Sequence, residues 1–201
     1  MLLEAKALVF GYERGKNILN GASLKIDQGE RVALVGPSGC GKSTLAQLLA
    51  GNLTPRSGEV LLGGAPLPQK GFCPVQLIYQ HPEKAVNPRW KLGDTLAEAW
   101  MPSDDFLSSL GIEKSWLGRY PAELSGGELQ RFCIARALAP ETRFLIADEV
   151  STMLDVITQA QIWELLLRVS IEREIGLLAV THSRALAERV CTRVAEFEEL
   201  G

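Results

Sequence analysis

Several short stretches carry side chains whose types and spacing can do chemistry. In "GPSGCGKST", Gly36, Gly41, Lys42 and Ser43 stand at the spacing G-x-x-x-x-G-K-[ST]. Glycines at those positions let the backbone turn inward so that several N–H groups face one anion, and a following helix adds the positive end of its dipole. Lys42 is then placed to bridge β- and γ-phosphates, and the Ser43 hydroxyl to ligate Mg²⁺. Cys40 sits inside the loop, where a small filler accounts for it better than a reactive thiol.

In "RFLIADE" an apolar run ends in two carboxylates, Asp148 and Glu149. At the carboxyl end of a parallel strand such groups face the ligand crevice of an open α/β sheet. Asp148 can hold Mg²⁺, usually through water. Glu149 can orient or deprotonate an attacking water, a role that contributes about 10²–10⁴-fold. Acidic residues after strands are common turn formers, so the pattern gains its meaning from the phosphate loop. "GLLAVTHS" ends in His182. A lone His after a strand is ordinarily a surface residue, but a strand lying beside the other two would bring the imidazole near the γ-phosphate.

"LSGGELQR" (124–131) puts Ser125 and two glycines ahead of a helix. Two readings stand at this point. One is a second anion site, built from bare amides, a hydroxyl and a dipole. The other is a Ser-capped helix with glycine flexibility.

These residues need elements to position them. "RVALVG" is a continuous apolar run, as expected of a strand buried on both faces. "KSTLAQLLAG" predicts a helix from Lys42 with Leu45, Leu48 and Leu49 on one stripe. "EAKALVF", "ASLKI" and "GEVLLGG" read as strands. From about 82 to 140, Pro82, Pro88, Pro102 and Pro121 punctuate short helical patterns and lead into a helix from Gly126–Gly127 to Pro140. Thereafter strand and helix alternate through "RFLIAD", "QAQIWELLLRVS", "GLLAVTH" and "RALAERVC", which implies parallel βαβ units.

Bulk properties bound the function. The 201 residues suit one domain, and 46% hydrophobic with 22% charged residues is an ordinary globular balance. A net charge of −3 with scattered Lys and Arg argues against a nucleic-acid binder. The four cysteines (Cys40, Cys73, Cys133 and Cys191) form no CxxC pair and no His cluster joins them, so neither a disulfide framework nor a zinc site is expected, and a reducing cytosolic setting fits. No run reaches the ~18 apolar residues of a membrane span, and the N-terminus is too short and charged for a signal peptide.

Taken together the motifs resemble the nucleotide-binding subunit of an ATP-binding cassette (ABC) transporter, over nearly the whole chain and with every family motif in order. The resemblance implies that Gly36, Pro37, Ser38, Gly39, Cys40, Gly41, Lys42, Ser43 and Thr44 form the Walker A loop. It implies that Tyr12 stacks on adenine, and that Gln80 is the Q-loop glutamine that meets Mg²⁺ and senses the membrane subunit. Asp148 and Glu149 become the Walker B pair, Asp155 the D-loop aspartate and His182 the switch histidine. Leu124, Ser125, Gly126, Gly127 and Glu128 become the signature, which in this family caps the ATP of the opposite subunit. ATP and Mg²⁺ are then the expected substrate and cofactor. Glu149, His182, Gln80 and Lys42 are the expected catalytic residues, and Ser43, Gln80 and Asp148 the metal-facing ones.

The fold implied is α/β: a P-loop NTPase core with a mainly parallel sheet, an N-terminal antiparallel β subdomain and a helical signature subdomain. It forms one ABC ATPase domain over 1–201, with core and β subdomain in 1–81 and 141–201 and the helices in about 82–140. Expected partners are a second ABC ATPase subunit, integral-membrane permease subunits and a solute-binding protein, with the chain on the cytoplasmic face of the membrane. "QHPEKAVNPRW" and "LDVITQAQIWELL" resemble ATPases of dipeptide, oligopeptide and nickel importers. Two features depart from the family pattern. Val150 stands where Pro is usual, followed by "STMLD" rather than "TSALD", which bears on the placement of Glu149. The C-terminal extension usual in peptide-importer ATPases is not seen after His182, so no regulatory domain or cluster is assigned. The alternative functions are a soluble ABC ATPase outside transport, disfavoured by the single compact cassette, and a nucleotide-binding module with impaired hydrolysis, disfavoured by Glu149 and His182.

Overall fold

The computed structural model describes residues 1–150 and 154–201. Ser151, Thr152 and Met153, on which part of the departure at "STMLD" falls, lie outside the described residues. Two sheets organise the chain. β1 (Leu2–Phe10), β2 (Leu19–Asp27), β4 (Ser57–Leu62) and β5 (Ala65–Pro66) form an antiparallel sheet in the order β2-β1-β4-β5. β3 (Arg31–Val35), β6 (Val75–Ile78), β7 (Phe144–Asp148), β8 (Gly176–Thr181) and β9 (Arg193–Glu196) form a parallel sheet in the order β6-β7-β8-β3-β9.

The apolar runs become the middle of the parallel sheet because both of its faces are covered. Along β7, Phe144 and Ile146 face a core shared with β1 and with helix α1 (Lys42–Leu49), whereas Leu145 and Ala147 face a second core. β8 divides in the same way, Leu178 and Val180 to the first core, Leu177 and Ala179 to the second. Strand periodicity is therefore present in these runs, but both phases are apolar. The second core is closed by α2 (Leu92–Ala97), α3 (Asp104–Ser109), α4 (Gly126–Ala137) and α5 (Val156–Glu172). α6 (Arg184–Val190) lies over β3 and carries Ala187 to Ala33 and Val35.

β6 and β9 have no counterpart among the strands read from the sequence. Each is four residues long, and β9 is an edge strand with only Ala195 buried, so neither shows a clear run. Both help to build the ligand rim, since parallel strands all discharge their C-terminal ends at one edge of the sheet. The register pairs Ile78 with Ala147, Asp148 with Val180, Val35 with Thr181 and Val35 with Glu196. The loops after β3, β6, β7, β8 and β9 thus meet at one rim, where ligands of open α/β sheets bind.

Candidate functional site

The loop after β3 turns on Gly39 (φ 78°) and Gly41 (φ 120°), a left-handed backbone that glycine adopts without strain. Gly41 is the N-cap of α1 and offers no side-chain cap, and the first turn holds no acidic residue. The helix therefore opens on N–H groups that its own side chains do not answer, which is the electrostatic requirement of an anion site. Pro37, Ser38 and Gly39 are exposed at the tip. Lys42 is only 5% exposed, and its ammonium donates to the carbonyls of Gly36 (2.8 Å) and Pro37 (2.7 Å), arching over the loop. Cys40 Sγ lies 3.9 Å from that ammonium and the residue is half-buried, in keeping with a filler.

Across the rim, the Ser43 hydroxyl donates to Asp148 Oδ1 at 3.1 Å, joining positions 105 apart in sequence. Burial pushes the Asp148 carboxyl above its ordinary range. The Ser43 hydrogen bond lowers it, the neighbouring Glu149 charge raises it, and Lys42 lowers it again. A buried carboxylate beside a hydroxyl is a hard oxygen pair that suits Mg²⁺, which takes one or two carboxylates and completes its shell with water and substrate phosphate. Among the described residues no cluster of three or more His, Cys, Asp or Glu could hold a metal alone, so the fit requires phosphate oxygens.

Glu149 has φ 47°, unusual for a residue with a side chain, and its N–H donates to Val180 O at 3.0 Å. The following Val150 is 3% exposed and packs in the second core. Gln80, two residues past β6, donates from Nε2 to Glu149 Oε2 at 3.2 Å. His182, just past β8, places Nδ1 3.4 Å from Glu149 Oε1. The register thus brings the glutamine, carboxylate and imidazole together from three loops. Tyr12 is 62% exposed, with its hydroxyl 3.5 Å from Thr44 Oγ1 and its ring edge-on to Phe10, centroids 5.1 Å apart. An exposed ring anchored beside the phosphate loop can take a base against its open face.

The segment 124–128 is built differently. Ser125 is the N-cap of α4, and its Oγ accepts from Glu128 N at 3.3 Å while Glu128 Oε2 accepts from Ser125 N at 2.7 Å. This reciprocal capping box occupies two of the amides that the anion-site reading leaves bare, as the Ser-capped reading expects. The Glu128 carboxyl is held below its usual range, first by the Ser125 amide and then by the Ser125 hydroxyl. Leu124 is half-buried, and Gly127 leaves room for Leu154, whose Cδ2 would lie 3.0 Å from a Cβ there. Among the described residues no hydrogen bond or ion pair joins 124–128 to the loop at 36–44. Asp155 serves as the N-cap of α5, accepting from Ile157 N, Thr158 N and Thr158 Oγ1, contacts that lower its pKa.

Two supporting residues gave no signal in the sequence. Arg56 donates to the carbonyls of Gly11 (2.9 Å) and Glu13 and to Asn17 Oδ1 (2.8 Å), clasping the turn that carries Tyr12. Gln130, 2% exposed on α4, donates from Nε2 to Tyr79 O at 3.2 Å, next to Gln80. Both act by reaching a backbone carbonyl far along the chain, which residue type alone does not announce.

Known proteins share this architecture. A family model described as ABC transporter matches residues 19–152. The chain is 38% identical to the nickel import ATP-binding protein NikE of Escherichia coli O6:K15:H31 over 203 residues, covering 92% of this chain and 76% of that protein. It is also 38% identical to NikE of Rhodospirillum rubrum over 210 residues, covering 94% and 75%. Among solved structures it resembles the ATP-binding cassette MJ0796, described as a dimer in a post-hydrolysis state bound to ADP and Pi (TM-score 0.82, 25% identity, 97% of this chain and 94% of that one). It also resembles cbiO1 of Clostridium perfringens, described as part of the ABC transporter complex cbiONQ (TM-score 0.76, 26% identity, 96% and 83%).

Proposed function

The chain belongs to the ABC transporter family and is an ATP-binding, ATP-hydrolysing subunit, and from that premise we propose that it powers import of nickel, a peptide or a similar small solute. The observation that carries the reading is Glu149, set between Gln80 and His182 at the rim where Ser43 meets Asp148. The nickel import relatives support the solute class. Among the described residues no helix is long and apolar enough to cross a membrane, so the proposal assigns the crossing to separate permease subunits.

In this reading the amides of the loop and the Lys42 ammonium hold the β- and γ-phosphates, and Lys42 exchanges its bonds to the Gly36 and Pro37 carbonyls for phosphate oxygens. Tyr12 holds the base. Mg²⁺, facing Ser43, Asp148 and Gln80, would neutralise developing phosphate charge. Glu149 orients and deprotonates water, while His182 and Gln80 fix its carboxylate. Ser125, Gly126 and Gly127 meet the γ-phosphate held by a second ABC ATPase subunit. ATP therefore favours the closed pair because only that state gains these contacts, and hydrolysis removes them. We place the permease contact in a groove of about 820 Å³ beside Gln80, lined by Tyr79, Lys84, Trp90, Glu98 and Arg136. A solute-binding protein would deliver the cargo on the far side of the membrane.

The test is Glu149→Gln. Turnover should fall by about 10²–10⁴-fold while ATP is still bound. Light scattering behind gel filtration should show an ATP-dependent dimer that outlives that of the unaltered chain. Phosphate release near the unaltered rate would remove Glu149 from its role, and failure of either chain to associate with ATP and Mg²⁺ would remove the dimer mechanism.

A further inference from the structure

The register of the parallel sheet sets an aromatic ring under the phosphate loop. β9 runs beside β3 with Glu196 opposite Val35. One residue beyond that pair, Gly36 opens the loop on one strand and Phe197 leaves the sheet on the other. A Cβ on Gly36 would lie 3.0 Å from Phe197 Cβ, and a Cβ on Gly41 would lie 2.9 Å from Phe197 Cζ. The side chain therefore reaches from the first glycine of the motif to the last. Gly41 is pressed from a second direction by Ile18, whose Cγ2 would lie 2.7 Å from its Cβ.

The segment bearing the ring is itself tied down. Glu196 accepts from Arg184 at 3.1 Å, Ser23 N donates to Leu200 O at 2.8 Å, and Phe197 and Leu200 pack against the first core. A glycine-rich loop has many backbone states, and only those that turn its amides inward hold an anion. A fixed surface beneath it removes states that bulge downward, so less order has to be imposed when phosphate arrives.

We propose that Phe197 is a positioning residue for ATP binding, holding the loop at Gly36 and Gly41 in the conformation that presents its amides. The inference rests on the reading of Gly36–Thr44 as the phosphate loop. It also gives those glycines a further cause: both clear space that the Phe197 side chain occupies, Gly36 at its Cβ and Gly41 at the end of its ring.

The experiment compares Phe197→Ala with Phe197→Met, which keeps the reach to Gly41, and with Leu62→Ala, which removes bulk from the same core on β4 away from the loop. Phe197→Ala should raise Kd for ATP with Mg²⁺ about tenfold, with turnover at saturating ATP within about twofold. Without nucleotide, hydrogen exchange should speed up at the amides between Ser38 and Lys42. Phe197→Met should restore both. Leu62→Ala should lower Tm while leaving affinity and loop exchange unchanged. If Phe197→Ala behaves as Leu62→Ala does in both readouts, the proposal is overturned. Should Phe197→Ala fail to fold, Phe197→Leu, which fills more of the space than alanine but lacks the ring end that reaches Gly41, should show the same changes at smaller size, and their absence overturns the proposal equally. Lys42→Ala runs alongside: unchanged ATP affinity there would fail the phosphate-loop reading itself, independently of Phe197.

Discussion

Two helices of this chain open at glycines, α1 just after Gly41 and α4 with Gly126 and Gly127 as its first residues, and they treat their first amides in opposite ways. α1 opens at Gly41 with no side-chain cap and no acidic residue in its first turn. α4 opens at Ser125 with a complete capping box and Glu128 in its first turn. The first helix start is unanswered from within and is walled by Lys42, Ile18 and Phe197, so it is ready for a ligand of its own chain. The second satisfies itself and stands exposed at Ser125 and Gly126. The same dipole and the same glycines thus make either a built cradle or a stable exposed helix end. What separates them is whether a side chain in the first turn answers the amides.

The largest expected contrast is in nucleotide affinity. Lys42→Ala should weaken ATP binding by the isolated subunit by about tenfold to a hundredfold, since a charge-assisted contact contributes about 1.5–3 kcal/mol. Ser125→Ala should leave that affinity unchanged, lower stability by about 1 kcal/mol through the lost cap, and reduce turnover only where two subunits meet. Titration calorimetry on both variants decides, and equal losses of affinity would erase the distinction.

A second contrast lies in the glycines. Gly41→Ala places a Cβ in left-handed backbone against Ile18 and Phe197, and should cost about 1–3 kcal/mol of stability with loss of ATP binding. A Cβ on Gly126 meets nothing within 4 Å. Gly126→Ala should therefore change stability by no more than about 0.5 kcal/mol, as read by urea denaturation.

The smallest effect concerns pH. The Glu128 carboxyl is lowered in the folded chain, so its contribution is present above the ordinary carboxylate range and is lost as pH falls through the lowered value. Glu128→Gln keeps a side chain that can accept from the Ser125 amide and removes the charge. Its stability should show less decline than the unaltered chain as pH falls below about 4, and ATP-driven association should rise because the opposite γ-phosphate no longer meets a carboxylate. Matching acid unfolding curves for the two would sink this assignment.

Much of the candidate site could be read along the chain because its parts are local. The phosphate loop, the acidic end of "RFLIADE" and the Ser125 cap are each contained in a few consecutive residues, and the buried runs of β3, β7 and β8 announce a covered parallel sheet. β6 and β9 were not legible. Four residues with mixed burial leave no periodicity to count, yet these strands deliver Gln80 and Phe197 to the rim. Arg56 and Gln130 were hidden for a related reason, since each acts on a carbonyl brought to it by the fold.

The sequence by itself determined the chemical inventory of the candidate site: amides and an ammonium suited to phosphate, a hydroxyl and carboxylate suited to a hard cation, a glutamate and an imidazole suited to water. Only the tertiary structure decided which of these come together. Ser43 meets Asp148 across 105 positions, and Glu149 meets Gln80 across 69 and His182 across 33. Parallel pairing achieves this because strands running one way end at one edge, and a fixed register aligns their last residues.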